Sequence, residues 1–283
     1  MHKTKYMKKT TTRTLTALAV SLFSMMIYGL PGYAFSKPAR KAPVHTYVLV
    51  HGAWSAPYAW KMVKAELEKK GQRVVTVQLP GHGSDQTAVA GITMDSYITA
   101  VVGKINHIKG RVILVGHSMA GMIISGVAEQ IPGKIQKLVY IAAYLPQSGQ
   151  SAYAISMLDK QSQLGGALLP TADNTLFNVK LDQITNIFCQ DGSAAVKRMI
   201  LAQYRPEPAM PFSNHVNLSA ENFGKVCKSY ISTLQDHGIG VDLQNQMTSA
   251  AGITEVYKLE SGHTPFLSMP SAVTAILLKT AQQ

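Results

Sequence analysis

A serine between two glycines is the most chemically suggestive feature of this sequence. Ser118 lies in Gly116-His-Ser-Met-Ala-Gly121, directly after the apolar residues 112–115 and before an apolar helical pattern. A strand, a tight turn and a helix in this order present a serine at a strained turn. A covalent nucleophile needs such a turn, because a hydroxyl reacts poorly unless a base and an anion-binding site lie beside it. We therefore predict a nucleophile at Ser118, the alternative being an ordinary glycine-rich turn.

Position separates the nine histidines that could act as its general base. His263 lies in Glu260-Ser-Gly-His-Thr-Pro-Phe266, just after the last predicted strand. Catalytic groups gather in the loops at the carboxyl ends of parallel strands. His237 follows the preceding strand, where an acid is expected, and is predicted to be a neighbour. His263 is therefore the predicted base.

An acid that orients the histidine is expected between the serine and the base in the chain. The loop after the predicted strand 228–233 offers Asp236 and Asp242. Asp236 comes first, whereas Asp242 begins the next predicted helix, where aspartate is common as a cap. We therefore favour Asp236 and keep Asp242 as the alternative. The rival acid position, after strand 137–142, carries no carboxylate.

An oxyanion hole is predicted beside the serine, with its two N–H donors coming from two different segments of the chain. One donor is the N–H of the next residue, Met119, and the second comes from the loop His51-Gly-Ala-Trp54, where Ala53 is the natural donor. Each such donor stabilises the transition state by about 2.7–4 kcal/mol. Trp54, in the same loop, and Tyr144, after strand 137–142, are predicted to contact the substrate.

Short apolar strands and amphipathic helices alternate along most of the chain. This alternation predicts an α/β fold with a mainly parallel sheet that helices cover on both faces. Residues 147–222 break the rhythm with short helical patterns and proline-rich joints, and are predicted to form an inserted cap. The predicted strands are 45–50, 73–78, 112–115, 137–142, 228–233 and 254–259, and the helices are 56–70, 94–108, 122–129, 241–251 and one from about 270.

Five segments together resemble one branch of the α/β-hydrolase superfamily. They are His51-Gly-Ala-Trp54, Leu79-Pro-Gly-His-Gly83, Gly116-His-Ser-Met-Ala-Gly121, Leu138-Val-Tyr-Ile-Ala-Ala-Tyr-Leu-Pro146 and Ser261-Gly-His-Thr-Pro-Phe-Leu-Ser-Met-Pro270. The branch includes bacterial carboxylesterases such as pyrethroid hydrolases, plant methyl-salicylate-type esterases and plant hydroxynitrile lyases. The resemblance implies an α/β-hydrolase domain over 45–283 with a helical cap and no cofactor. It also implies a Ser118, Asp236 and His263 triad that hydrolyses small-molecule esters through an acyl-enzyme.

Two positions depart from the lyases of this branch. Those enzymes resemble this chain but carry a threonine before the oxyanion residue and a lysine after the catalytic histidine, where this sequence has Gly52 and Thr264. In that family the lysine holds the cyanide leaving group, so the resemblance favours an esterase. A lyase and a non-hydrolytic ligand-binding protein are the alternative functions. Dehalogenases and epoxide hydrolases with an aspartate nucleophile are disfavoured by Ser118.

The first 34 residues have the pattern of a secretory signal. Five cations and no acid accompany a mostly apolar run, residues 15–30, and Gly32-Tyr-Ala34 offers small residues before a cleavage point at Phe35. The run is shorter than the roughly 20 residues that a spanning helix needs. We therefore predict a signal peptide over 1–34, a leader over 35–44, and a secreted or periplasmic protein without stable membrane insertion. An uncleaved anchor is the alternative.

Charge and cysteine content argue against a nucleic-acid-binding protein and against a zinc protein. Loss of residues 1–34 would lower the formal net charge from +12 to +7, and the remaining cations are scattered among acids. A nucleic-acid partner would need a clustered basic stripe, and none is predicted. Cys189 and Cys227 form no zinc pattern, so no metal is predicted, and they either pair or stay as two buried thiols. The oligomeric state is left open.

Overall fold

Six parallel strands form the centre of the structure, a computed structural model that describes residues 43–282. In chain order they are β1 (Thr46–Val50), β2 (Arg73–Val77), β3 (Val112–His117), β4 (Ile135–Ile141), β5 (Lys228–Thr233) and β6 (Val256–Leu259). Their order across the sheet is β6-β5-β4-β3-β1-β2, and all five pairings are parallel. The carboxyl ends of these strands therefore meet at one edge. The predicted signal peptide, 1–34, and all but the end of the leader, 35–44, lie outside the described residues.

Burial of the strands shows that both faces of the sheet are covered. Every residue of β1 and of β3 is buried, although successive side chains of a strand point to opposite faces. Continuous apolar runs of this kind are typical of parallel strands between two helical layers. The outer strand β2 is partly exposed, as its place at the margin of the sheet requires.

Helices fill the connections between these strands. Thr93 caps the amino end of the helix Met94–Asn106: its hydroxyl accepts the Ser96 N–H at 3.2 Å, and the Ser96 hydroxyl accepts the Thr93 N–H at 2.9 Å. The main helices are α1 (Lys61–Lys69), α2 (Met94–Asn106), α3 (Ala120–Gln130), α4 (Leu181–Cys189), α5 (Ala194–Gln203), α6 (Val241–Ala250) and α7 (Pro270–Thr280). Single helical turns occur at Pro57–Trp60, Val89–Gly91, Pro132–Lys134, Ala152–Ser156, Gly165–Ala167, Met210–Ser213, Phe223–Lys225 and Pro265–Ser268.

The predicted cap, residues 147–222, lies in the segment between β4 and β5. It contains α4, α5 and short helical turns, as its sequence pattern indicates, together with short strands that the pattern did not predict. A three-stranded antiparallel sheet consists of Leu168–Pro170, Leu176–Val179 and Glu207–Pro208, and a two-stranded sheet consists of Gln150–Ser151 and His215–Val216.

Helix α7 returns the chain to the amino ends of the strands. The Tyr47 hydroxyl, near the start of β1, donates to the Leu277 carbonyl at 3.0 Å. The Lys137 ammonium, near the start of β4, donates to the Thr280 carbonyl at 2.9 Å. The two ends of the described domain therefore lie at the edge opposite the carboxyl ends of the strands.

The cysteines do not form a disulfide. Cys189 is buried and Cys227 is exposed, and both are free thiols. The pairing alternative is therefore wrong, and the alternative of two buried thiols holds only for Cys189. Across residues 43–282, the helices are too short or too polar to cross a membrane.

Candidate active site

Ser118 occupies a sharp turn between β3 and α3. Its φ of 54° is in the left-handed region, which costs a non-glycine residue about 1–3 kcal/mol. Three backbone hydrogen bonds hold it there. The Ser118 N–H donates to the Ile141 carbonyl at 3.2 Å, and the Ser118 carbonyl accepts from Gly121 at 3.0 Å and from Tyr144 at 3.1 Å. The predicted strand–turn–helix context of this serine is confirmed.

The flanking glycines let the chain pass closely around this turn. A Cβ at Gly121 would lie 1.9 Å from the Tyr144 carbonyl oxygen, and one at Gly116 would lie 2.8 Å from the Ala120 carbonyl oxygen. Both obstacles are backbone atoms, which cannot move aside as a side chain can. Glycine is therefore required at both positions by space.

The structure brings together the three residues predicted as a triad. The Ser118 hydroxyl donates to His263 Nε2 at 3.0 Å, and His263 Nδ1 donates to both oxygens of Asp236 at 2.9 Å. The two-sided contact assigns the proton on His263 to Nδ1 and leaves Nε2 free to accept. His263 and Asp236 are both buried, at 2% and 7% exposed. The His263 imidazole is thus in contact with the serine hydroxyl, and the Asp236 carboxylate orients that imidazole.

Backbone and side-chain donors fix the Asp236 carboxylate. One oxygen accepts the N–H groups of Gly238 at 2.7 Å and Ile239 at 2.9 Å. The other accepts the Thr233 hydroxyl at 2.7 Å and the Gln244 amide at 3.3 Å. Gln244, on α6, is a partner that the sequence reasoning missed.

The alternative acid and the neighbouring histidine lie elsewhere. Asp242 is exposed in the first turn of α6. His237 Nδ1 contacts the Asn186 carbonyl at 3.0 Å, so His237 faces the cap as a neighbour of the site. Among the two carboxylates weighed from the sequence, the structure places Asp236 against His263.

The predicted oxyanion loop lies against Ser118. A Cβ at Gly52 would lie 2.9 Å from Ser118 Cβ and 2.9 Å from two atoms of His117. Ala53 follows Gly52 in this loop, and Met119 follows Ser118 at the start of α3. The two predicted donors therefore flank the serine, one on each segment.

His117 is a neutral histidine packed against His263. Its ring centroid lies 4.6 Å from that of His263, and its Nε2 donates to the His263 carbonyl at 2.9 Å. Burial, and then the charge of His263, holds the pKa of His117 well below its usual range. His117 therefore adds no positive charge that would oppose proton uptake by His263.

Sequence comparison assigns the chain to a family. The family model described as "Alpha/beta hydrolase family" matches residues 47–276. The chain belongs to the alpha/beta hydrolase family. Its similarity to Arabidopsis thaliana methylesterase 17 is 27% identity over 87% of this chain and 94% of that protein. The fold class predicted from the sequence is confirmed.

Solved structures of other alpha/beta hydrolases share this fold. An extracellular alpha/beta-hydrolase from a Paenibacillus species is 26% identical with a TM-score of 0.72, covering 84% of this chain and 98% of that one. A pyrethroid hydrolase from Sphingobium faniae is 22% identical with a TM-score of 0.74, covering 85% of this chain and 98% of that one. The resemblance to the branch of pyrethroid hydrolases and plant methylesterases is thereby confirmed.

An apolar cavity lies under the cap of this hydrolase. Its volume is about 420 Å³, and Trp54 and Tyr144, the two residues predicted to contact substrate, both line it. The one carboxylate in its wall, Asp159, already accepts the N–H groups of Gly240, Gln161 and Ser162. Other lining residues are Tyr153, Ser156, Met157, Ser162, Leu164, Gly165, Leu168, Pro170, Phe177 and Phe212.

The cap is hydrogen-bonded to the loop that carries His263. The Asp191 carboxylate accepts the Gly262 N–H at 3.0 Å, and the Thr264 hydroxyl donates to the Phe188 carbonyl at 2.6 Å. The residues on both sides of His263 are thus tied to the end of α4 and the loop after it. Within residues 43–282, no three potential metal-ligating side chains cluster as a metal site.

Proposed function

We propose that the chain is an exported serine carboxylesterase that hydrolyses small to medium carboxylic esters through an acyl-enzyme. The observation that carries this proposal is the continuous hydrogen-bonded line from the Ser118 hydroxyl through His263 to Asp236. The serine lies at a left-handed turn beside the His51–Trp54 loop, which is the arrangement that acyl transfer requires.

The geometry supports a two-step reaction. Ser118 Oγ attacks the ester carbonyl carbon while His263 Nε2 takes its proton, and Asp236 holds the imidazole in the required tautomer. The N–H groups of Ala53 and Met119 stabilise the negative oxygen of the tetrahedral intermediate. His263 then gives the proton to the departing alcohol. A water, activated by the same histidine, hydrolyses the acyl-enzyme and frees Ser118.

The enzyme class is confirmed by the named relatives. A methylesterase and a pyrethroid hydrolase are both carboxylic ester hydrolases. For this chain we infer substrates with an apolar or aromatic group, because aromatic and aliphatic side chains dominate the cavity wall and the carboxylate of Asp159 is already engaged. A negatively charged substrate group would lose its hydration there and would meet no cationic side chain among the described residues of the wall.

Export is the second part of the proposal. It rests on the signal-like residues 1–34 and on the similarity to an extracellular hydrolase. Export is tested by expressing the full chain in a bacterial host and measuring the molecular mass of the protein recovered outside the cytoplasm. A mature chain that begins at Phe35 supports export, whereas an intact chain that stays inside the cells contradicts it.

The activity is tested with p-nitrophenyl acetate and butyrate. Wild-type protein is expected to turn over both esters, and Ser118→Ala is expected to lose activity by several orders of magnitude, since it removes the attacking oxygen. Equal turnover by the two proteins would contradict the proposal. Release of one equivalent of p-nitrophenol from a p-nitrophenyl organophosphate by wild-type protein, and not by Ser118→Ala, would show that Ser118 is the residue phosphorylated and hence the nucleophile.

A further inference from the structure

The cap contributes a fully buried carboxylate to the loop beside the nucleophile. Glu207, in the short strand Glu207–Pro208, is 0% exposed. One of its oxygens accepts the Trp54 N–H at 2.8 Å and His82 Nε2 at 2.7 Å, and the other accepts the Tyr97 hydroxyl at 3.1 Å. A buried carboxylate is costly unless it is paired and fully hydrogen-bonded, and this one is both.

His82 supplies the opposite charge. Its Nε2 faces Glu207 and its Nδ1 faces the Pro80 carbonyl at 2.9 Å, so both ring nitrogens meet acceptors and both carry protons. Burial alone would lower the pKa of His82, but the charge of Glu207 and these hydrogen bonds outweigh burial and raise it. Burial, followed by the charge of Glu207, raises the pKa of Tyr97, which stays a neutral donor.

The group that Glu207 holds is strained. Trp54 has a φ of 53°, a left-handed conformation that persists in a non-glycine residue only where its surroundings enforce it. Two contacts from the cap do so. Glu207 accepts the backbone N–H of Trp54, and the Phe177 carbonyl accepts its indole N–H at 2.8 Å. Because Trp54 directly follows Ala53, the Glu207 contact fixes the peptide plane next to the proposed oxyanion donor.

We propose that Glu207 is a positioning residue for the oxyanion hole. From the cap, its carboxylate holds the Trp54 backbone N–H and thereby sets the orientation of the Ala53 backbone toward the tetrahedral intermediate. Glu207 does not touch the substrate. The inference rests on the proposed ester hydrolysis. It means that the position of the cap, through Glu207, affects how well the transition state is stabilised.

Three substitutions at Glu207 separate positioning from a structural role. Glu207→Met keeps the volume and removes the acceptor. Glu207→Gln keeps an oxygen that can accept the Trp54 N–H, while its amide faces the Tyr97 hydroxyl. Glu207→Asp keeps the charge and shortens the reach toward Trp54. Tyr97→Phe is the matched control, since it removes the donor at the other oxygen and leaves the Trp54 contact in place.

Steady-state kinetics with p-nitrophenyl butyrate, per serine titrated with an organophosphate, give the readout. Loss of a whole oxyanion donor costs about 10²–10³ in kcat, so a misplaced one is expected to cost about 10–10² in Glu207→Met, with KM within about twofold. Glu207→Gln is expected to recover most of kcat, and Tyr97→Phe to keep it. A trifluoromethyl ketone forms an adduct with the serine that carries an oxyanion. Its inhibition constant for Glu207→Met should rise by the same factor by which kcat/KM falls.

Each outcome decides between the alternatives. If Glu207→Met keeps the wild-type kcat per titrated serine and only melts at a lower temperature, the role is structural and the inference is wrong. If that variant does not fold, Glu207→Asp decides, because a structural role predicts unchanged kcat and positioning predicts a loss at constant KM. Absence of turnover in the wild-type protein would instead contradict the proposed function.

Discussion

At the scale of residues, two strained positions meet at the site. Ser118 and Trp54 have φ values of 54° and 53°, although neither is glycine. Each conformation costs about 1–3 kcal/mol, and each is held by hydrogen bonding between the residue's backbone and another segment. Ser118 is held by Ile141 and Tyr144, and Trp54 is held by Glu207. The site is therefore maintained by the surrounding fold and not by local preference.

The assignment of the acid makes a residue-scale prediction. Asp236→Asn keeps the shape but loses the charge that fixes the His263 tautomer, and kcat for p-nitrophenyl butyrate should fall by about 10⁴. Asp242→Asn, the matched control, alters an exposed side chain and should leave kcat unchanged. The reverse pattern, with Asp242→Asn inactive, would refute the assignment.

At the scale of elements, α3 can approach the sheet only because of its glycines. Gly121→Ala would place a methyl group against the Tyr144 carbonyl, and we expect a loss of stability at the upper end of roughly 1–3 kcal/mol. Gly103→Ala is the control within α2, where no atom lies within 4 Å of the added carbon. It should stabilise the protein by about 0.5–1 kcal/mol. Urea unfolding measures both, and equal shifts would contradict the packing argument.

The cap makes a second element-scale prediction. Leu164 lines the cavity, so Leu164→Trp should reduce its volume and lower kcat/KM for p-nitrophenyl octanoate by about tenfold or more, while acetate is nearly unaffected. Leu181→Trp, at a cap position that is 71% exposed, is the control and should change neither value. If Leu164→Trp lowered kcat/KM equally for the octanoate and the acetate, the substitution would have disturbed the residues around Ser118, and the prediction about cavity volume would be contradicted.

Local pattern and long-range contact explain what the sequence could predict. The runs 47–50 in β1 and 112–115 in β3 are apolar and are followed by turn residues, so their positions follow from the residues themselves. Chain order was enough to relate Ser118, Asp236 and His263. Glu207 escaped prediction because its partners, Trp54 and His82, are 153 and 125 residues away in the chain. The two-stranded sheet of the cap escaped for the same reason, since Gln150 pairs with Val216, whereas Leu168–Pro170 and Leu176–Val179 pair locally and are only three and four residues long.

At the scale of the whole molecule, buried histidines set the response to acid. Burial, and then the charge of His82, lowers the pKa of His51 to about 3, and burial also lowers that of His117. In the unfolded chain both groups titrate near 6.5. Below that pH the unfolded chain binds protons that the folded protein does not bind, so acid favours unfolding.

Stability is therefore expected to fall as the pH decreases from about 6.5 toward 3. His51→Gln removes one of these protons and should reduce the slope of the unfolding free energy by about 1.4 kcal/mol per pH unit. His107→Gln, at an exposed position, is the control and should keep the wild-type slope. Urea titrations between pH 7 and pH 4 measure the slopes, and identical slopes for all three proteins would contradict the prediction.

The parallel sheet also decides how the protein can be attached to a surface. Both ends of the described domain lie at the amino edge, where Tyr47 contacts Leu277, whereas Ser118 lies beyond the carboxyl end of β3. A tether at either end, to a bead or a cell envelope, would therefore leave the cavity turned toward the solution. The proximity of these ends likewise favours a circular permutant, joined by a short linker, that keeps the site intact.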